Sequence, residues 1–323
     1  MNEIVVTTNK LGTLPDSGLH IWGWPVSLYL FLGGLSAGIL LITAIMILGK
    51  KEQRYRVAAG RLIVWAPVLL GLGMFFLFLD LDNKRNVLQF YTTFRVTSPM
   101  SWGSWVLLIV FPLSVVLILA TLRQGYPSVY RWLKNGFDRF TPLPLDRITN
   151  FCETHRRAAA WTAVPVSMFL GIYTGILLSA FGARPFWNSP LLGPLFLVSG
   201  VSTAAALVIV LSRDPDEIHF FSKIDLALIL VECAILGLWI IGMLTSSLPY
   251  VTAIQSILGG PLTPVFWGLL VGTGLLLPAF LKVMELRGKP IPVALGASLV
   301  LAGGLILRVI MVEAGQMSAW LPY

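Results

Sequence analysis

The chain has 323 residues, of which 56% are hydrophobic and only 12% charged. A water-soluble domain carries about twice that share of charge, so the composition excludes one and points to a membrane protein. The formal net charge of +8 is explained by membrane topology and attraction to anionic lipid, which leaves little support for nucleic-acid binding.

Ahead of the first apolar run, Glu3 and Asp16 outweigh Lys10, and a basic start is lacking. A secretory signal peptide is therefore not expected. His20, Trp22 and Trp24 follow at the edge of the first span. Apolar runs of about 20 residues mark membrane helices. They predict eight, at 26–49, 59–80, 101–122, 158–181, 190–212, 223–246, 264–284 and 291–313. The expected fold is an all-α integral membrane protein, a single polytopic domain of two four-helix bundles.

The loops between the spans set the orientation. The loop after span one carries Lys50, Lys51, Arg54, Arg56 and Arg61. The long loop at 123–157 adds Arg123, Arg131, Lys134, Arg139, Arg147, Arg156 and Arg157, and a short interfacial helix is expected near 128–140. Arg213, Lys223, Lys282, Arg287 and Lys289 extend the same side. The opposite side has Lys10, Lys84, Arg85, Arg95 and Arg184. The positive-inside rule then places both termini outside the cytoplasm of a bacterial or archaeal cytoplasmic membrane. The loop at 247–263 is uncharged and reads as a surface facing lipid or protein.

None of the 3 histidines lies deep in a span: His20 precedes the first, and His155 and His219 lie in loops. Haem iron needs axial ligands held at membrane depth, so no haem is expected. The 2 cysteines, Cys152 and Cys233, are too few for an iron–sulfur cluster and too far apart in sequence to suggest a disulfide. Glycines such as Gly34, Gly38, Gly268, Gly272, Gly303 and Gly304 lie within spans, where small residues let helices approach.

Ionisable residues inside spans cost about 2.5–3.5 kcal/mol on insertion scales and mark function by default. At about 1.5 Å of rise per residue, His20, Asp80, Tyr173, Arg308 and Glu313 fall at similar outer depths on different helices. On the inner side Asp225 sits at the edge of span six and Glu232 two turns deeper on the same face. That ladder suits a proton path from the cytoplasm or one buried ion pair. Bland readings stand beside these: His20 as an interfacial anchor, Tyr173 as part of an aromatic belt, Asp80 and Asp82 as solvated helix-end carboxylates.

Four stretches together carry a resemblance. They are Trp24-Pro25-Val26-Ser27-Leu28-Tyr29-Leu30-Phe31-Leu32-Gly33-Gly34-Leu35-Ser36-Ala37-Gly38, Leu79-Asp80-Leu81-Asp82, Ser98-Pro99-Met100-Ser101-Trp102-Gly103-Ser104-Trp105 and Tyr173-Thr174-Gly175-Ile176-Leu177-Leu178-Ser179. With them the first 180 residues or so resemble the NrfD/PsrC family, the membrane subunits of polysulfide-reductase-like complexes. The resemblance implies a haem-free subunit of eight helices that binds menaquinone or ubiquinone as substrate at its outer face. It implies an iron–sulfur subunit on that face, with a molybdopterin or multihaem catalytic subunit beyond. It assigns quinone contact to His20 by position and to Tyr173 by its motif, and matches Asp80 to a family acidic position. The family's asparagine has no clear counterpart, Asp16 or Ser17 standing where it would be.

The chemistry expected is quinol oxidation: Tyr173 donates to a quinone oxygen, His20 accepts a proton, and Asp80 orients that histidine or relays the proton. Electrons pass to a cluster in the neighbouring subunit. Asp225, Glu232, Arg308 and Glu313 are the expected proton-transfer groups. The competing reading is a proton or small-ion transporter without a redox role, against which no pair of broken helices in matching halves is found.

Overall fold

The computed structural model describes residues 22–81, 84, 87, 89–140 and 144–318. Among them every regular element is a helix, and 8 are long and apolar enough to cross a membrane. Lipid offers no partner to a bare peptide group, so helices, which satisfy their own backbone, are what such apolar runs form. In chain order the helices are α1 Trp24–Leu48, α2 Val57–Asp80, α3 Gln89–Thr92, α4 Pro99–Gly125, α5 Pro127–Phe140, α6 Leu145–Ser179, α7 Leu192–Leu211, α8 Pro215–Leu244, α9 Leu248–Leu258, α10 Pro264–Leu286 and α11 Val293–Met317.

The crossing helices form two groups of four. In one, α1 packs on α2 and α6, and α4 on α6; in the other, α7 packs on α8 and α11, and α10 on α8 and α11. The groups meet along α1, α6, α7 and α11. α1 is the innermost span: 89% of its apolar window is buried, against 28% for α2 and for α8. Its glycines make that possible. A Cβ on Gly38 would lie 2.3 Å from the Gly200 carbonyl oxygen, and one on Gly200 would lie 2.6 Å from that of Gly34. The backbones of α1 and α7 therefore touch, as small residues allow where the hydrophobic effect does not drive helices together.

Eight crossings return the chain to the face where it starts. Trp22 N–H donates to Gln316 Oε1 (3.1 Å) and Gln316 Nε2 donates to the Trp22 carbonyl (2.7 Å), so the beginning of α1 and the end of α11 are clasped on what we call the terminal face. Trp22 also packs on Phe181 and Trp187, at centroid distances of 4.6 and 5.1 Å. The opposite, basic face carries the loop at 49–56 and α5. There Arg123 of α4 and Lys134 of α5 bind Asp146 at 2.8 and 2.5 Å, fastening both helices to the start of α6.

Three features depart from the hydropathy reading. α6 begins at Leu145, and α8 at Pro215, well before the apolar stretches expected at 158 and 223. Both extensions are polar turns of helix outside the apolar layer, invisible to a search for apolar runs. The uncharged loop after α8 contains the helix α9. Third, α2 opens with a π-helical turn, Val57–Arg61, and a 3₁₀ turn, Leu62–Val64. Neighbours take up the displaced backbone groups: Thr43 Oγ1 donates to the Ala58 carbonyl (2.9 Å), Ser36 Oγ to that of Ala66 (2.7 Å), and buried Glu217 accepts from the Val57 and Ala58 amides (3.1 and 2.9 Å).

Candidate functional site

Near the terminal face the first four spans enclose an apolar cavity with about 730 Å³ of space between atoms. α1 contributes Val26 and Tyr29, α2 Met74 and Leu77, α4 Gly103 and Leu107. α6 supplies Tyr173, and Tyr91 at the end of α3 closes one side. Three phenols and Ser104 thus stand in a largely apolar wall. Tyr29 and Tyr173 are buried, at 3% and 2% exposure. Neither hydroxyl has a hydrogen-bond partner among the described residues.

Gly103 sets the room around Tyr173. A Cβ there would lie 2.2 Å from the Tyr173 hydroxyl, so any larger residue would drive the phenol from its place. Met100 and Ser104 of the same motif also line the cavity, while Ser101 and Trp102 hold backbone. Ser101 Oγ accepts from the Arg95 amide (3.0 Å) and donates to the Thr93 carbonyl (3.2 Å), and Trp102 Nε1 donates to the Val96 carbonyl (2.7 Å). These bonds fold the segment before α4 back onto its first turn.

Asp80, at the end of α2, does not line the cavity. Its Oδ1 accepts from the Gly23 amide at 3.3 Å, holding the start of α1 beside the cavity wall formed by Trp22. His20 and Asp82 lie outside the described residues.

The second group of spans is different in kind. Asp225 and Lys282 are fully buried and 2.8 Å apart, close but not aligned as a hydrogen bond. Ser202 Oγ donates to Asp225 Oδ1 at 2.6 Å. Toward the basic face, Ser222 Oγ donates to Glu285 (2.9 Å). Deeper in α8, buried Glu232 interacts with Ser199 and Arg308. Arg308 donates to Ser199 Oγ (2.5 Å) and to the Gly304 and Phe196 carbonyls (both 3.0 Å). The two acids lie seven residues apart on α8, and the two serines three apart on α7, so each pair shares a helix face. The result is a buried polar row from Glu285 to Arg308, running between α7, α8, α10 and α11.

Two expectations change here. Arg308 does not join Tyr173 at the terminal cavity; it turns inward to Ser199, because a guanidinium in a span needs acceptors and α7 offers them. Lys282, counted among the basic-face cations, is buried against Asp225. Glu313 is partly buried in α11 and makes no ion pair or hydrogen bond with the described residues. Sequence reasoning misses Tyr29, Tyr91, Gly103, Ser199, Ser202 and Lys282 as site residues. A useful signal exists for two: Tyr29 is a polar group within an apolar span, and Lys282 falls inside the seventh expected span, within reach of an acid.

The family model described as Polysulphide reductase, NrfD matches residues 13–319, so the likeness extends through the second half. A polysulfide reductase polypeptide of Wolinella succinogenes is 30% identical over 94% of this chain and 97% of its own length. Protein NrfD of Escherichia coli is 28% identical over 92% of this chain and 96% of its own. A selenate reductase subunit of Mesobacillus selenatarsenatis is 24% identical over 90% and 73%, respectively.

Proposed function

Since the chain belongs to the NrfD polysulphide reductase family, we propose that it is the membrane subunit of a reductase-type complex and exchanges electrons between the quinone pool and an iron–sulfur subunit on its terminal face. The observation that carries this reading is the apolar cavity with three inward phenols. A quinone offers a flat neutral ring, two carbonyl acceptors and an isoprenoid tail. Tyr173 and Tyr29 supply buried donors for an oxygen, and the aliphatic side chains of α2 and α4 supply walls for the ring and tail. Menaquinone and ubiquinone both fit that description.

Written as quinol oxidation, each turnover releases two electrons and two protons. The electrons leave for a cluster held by the neighbouring subunit, beyond which lies a molybdopterin or multihaem subunit. His20, two residues before Trp22 in the sequence, accepts a proton in this scheme, and Asp80 holds the start of α1 and passes protons to water. The basic face lies in the cytoplasm and both termini lie outside it.

The buried row in the second group favours a coupled role in proton movement. Asp225, Glu232 and Arg308, joined by Lys282, form its middle, and Glu313 stands on the terminal side of Arg308. A transporter without redox chemistry would use the same groups, and the cavity in the other half speaks against it.

Tyr173→Phe and His20→Ala in the co-purified complex test the site. Both are expected to lower quinol-linked turnover with assembly intact; unchanged turnover in both removes the proposed site. Glu232→Gln tests coupling: full proton translocation with normal quinol oxidation removes it. Ion transport by the protein alone in liposomes, without quinol, would favour the transporter.

A further inference from the structure

Two adjoining cavities open at the basic face, with about 1030 and 720 Å³ of space between atoms, and share Gln53 and Arg56. Both are bounded by the loop at 49–56 and the start of α2; the first is completed by the end of α4 and by α6, the second by the junction of α7 and α8. The first is walled by Glu52, Gly60, Thr121, Gln124 and Arg156; the second adds the cations Arg54, Arg61 and Arg213 and the carboxylates Asp214 and Glu217, so five guanidinium groups face three carboxylates across the two. Their floor is the α2–α4 crossing, where a Cβ on Gly125 would lie 2.6 Å from the Gly60 carbonyl oxygen.

The charges in these walls are unevenly matched. Arg156 pairs with Glu52 at 3.0 Å, and Arg54 with Asp216 at 3.7 Å. The buried Glu217 carboxylate is spent on the Val57 and Ala58 amides and on Ser212. Arg61 uses only Nε, on the Gly125 carbonyl at 3.2 Å. Arg56 and Arg213 have neither an ion pair nor a hydrogen bond among the described residues. Burial also raises the Glu52 carboxyl above its ordinary range, against the pull of Arg156 and Arg157. The cavities therefore present planar guanidinium donors in excess, a chemistry suited to phosphate oxygens.

What adjoins them is apolar. From Arg61, the positions four, seven and eleven residues on are Trp65, Val68 and Leu72, exposed at 44%, 53% and 45%. Trp65, Val68 and Leu72 share one face of the regular part of the helix, so an apolar stripe runs from just beyond Arg61 into the hydrocarbon layer. On α6, Trp161 is 66% exposed five residues beyond Arg156. Headgroup chemistry and tail surface thus meet at one place.

We propose that this basic-face site binds an anionic phospholipid of the adjacent leaflet, its phosphate held by Arg56 and Arg61 and its acyl tail lying along Trp65, Val68 and Leu72. The lipid bridges the loop at 49–56, α2 and the junction of α7 and α8 at the end opposite the phenol cavity. The assignment does not depend on the quinone reading.

The experiment compares the full-length protein in phosphatidylcholine vesicles with and without phosphatidylglycerol, and follows lipid retained through detergent purification by native mass measurement. The wild type is expected to retain phosphatidylglycerol and to gain thermal stability from it. Arg56→Gln with Arg61→Gln is expected to weaken retention by about five-fold per charge removed. Lys289→Gln, an exposed cation of the same face away from both cavities, is expected to behave as wild type. Wild-type protein that retains no phosphatidylglycerol and melts alike in both vesicles overturns the proposal, and that measurement needs no variant to fold. Retention lost equally in Lys289→Gln also overturns it, since unspecific attraction then suffices. Inorganic phosphate reproducing the stability gain in pure phosphatidylcholine overturns the lipid as occupant.

Discussion

In the first four spans the buried polar groups near the terminal face are neutral phenols around an apolar cavity. The last four enclose two carboxylates, an ammonium and a guanidinium, most of them held by a neighbouring side chain or carbonyl. The difference follows from what each group costs. A neutral hydroxyl left without a partner costs about 1–3 kcal/mol, a strain that a fold can carry until a ligand relieves it. A buried unpaired charge costs several kcal/mol after relaxation, so charges come with partners.

The largest expected effect breaks the charged half. Lys282→Met should destabilise the protein by about 3–5 kcal/mol by stranding Asp225, and adding Asp225→Leu should recover most of the loss. Denaturant unfolding in detergent measures both; a double variant no more stable than the single would mean the pair is not acting as a matched unit.

The next effect lies in the neutral half. Gly103→Ala should lower quinol-linked turnover by about 100-fold, because a misplacement of about 1 Å costs that much and the new Cβ collides with the Tyr173 hydroxyl. Gly136→Ala, where nothing lies within 4 Å, is the matched control and should leave turnover alone. Tyr29→Phe should cost roughly ten-fold, the worth of one hydrogen bond to a buried oxygen. If turnover is indifferent to Tyr29, the donor role rests with Tyr173 alone. Smallest is Ser101→Ala, which unties the segment before α4 and should cost about 1 kcal/mol of stability, read as a lower Tm with the chemistry intact.

The spans are legible in the sequence because apolar runs long enough to cross a bilayer admit little else. The polar first turns of α6, Leu145 to Arg157, are not, since nothing apolar announces them. The motifs tell where the site is better than what each residue does. Tyr173 faces the cavity, yet Ser101 and Trp102 from an equally suggestive motif hold backbone. Tyr29 passes as one more aromatic in an apolar stretch, and its role depends on which way α1 is turned, a fact set by Gly34 and Gly38 packing on Gly200. Lys282 reads as a loop cation because lysines near helix ends usually snorkel to water. Only the position of Asp225 on a different helix shows why this one does not. Arg308 is placed from sequence by depth alone, and depth does not say which neighbour a long side chain turns toward.

The clasp between Trp22 and Gln316 joins residues 294 positions apart in the sequence. During synthesis Gln316 leaves the ribosome after the seven other spans, so one wall of the phenol cavity cannot be fastened until α11 has been inserted. Membrane insertion and maturation of the cavity are thereby put in a fixed order. A nascent polypeptide stalled before α11 would contain every phenol and still lack the finished pocket.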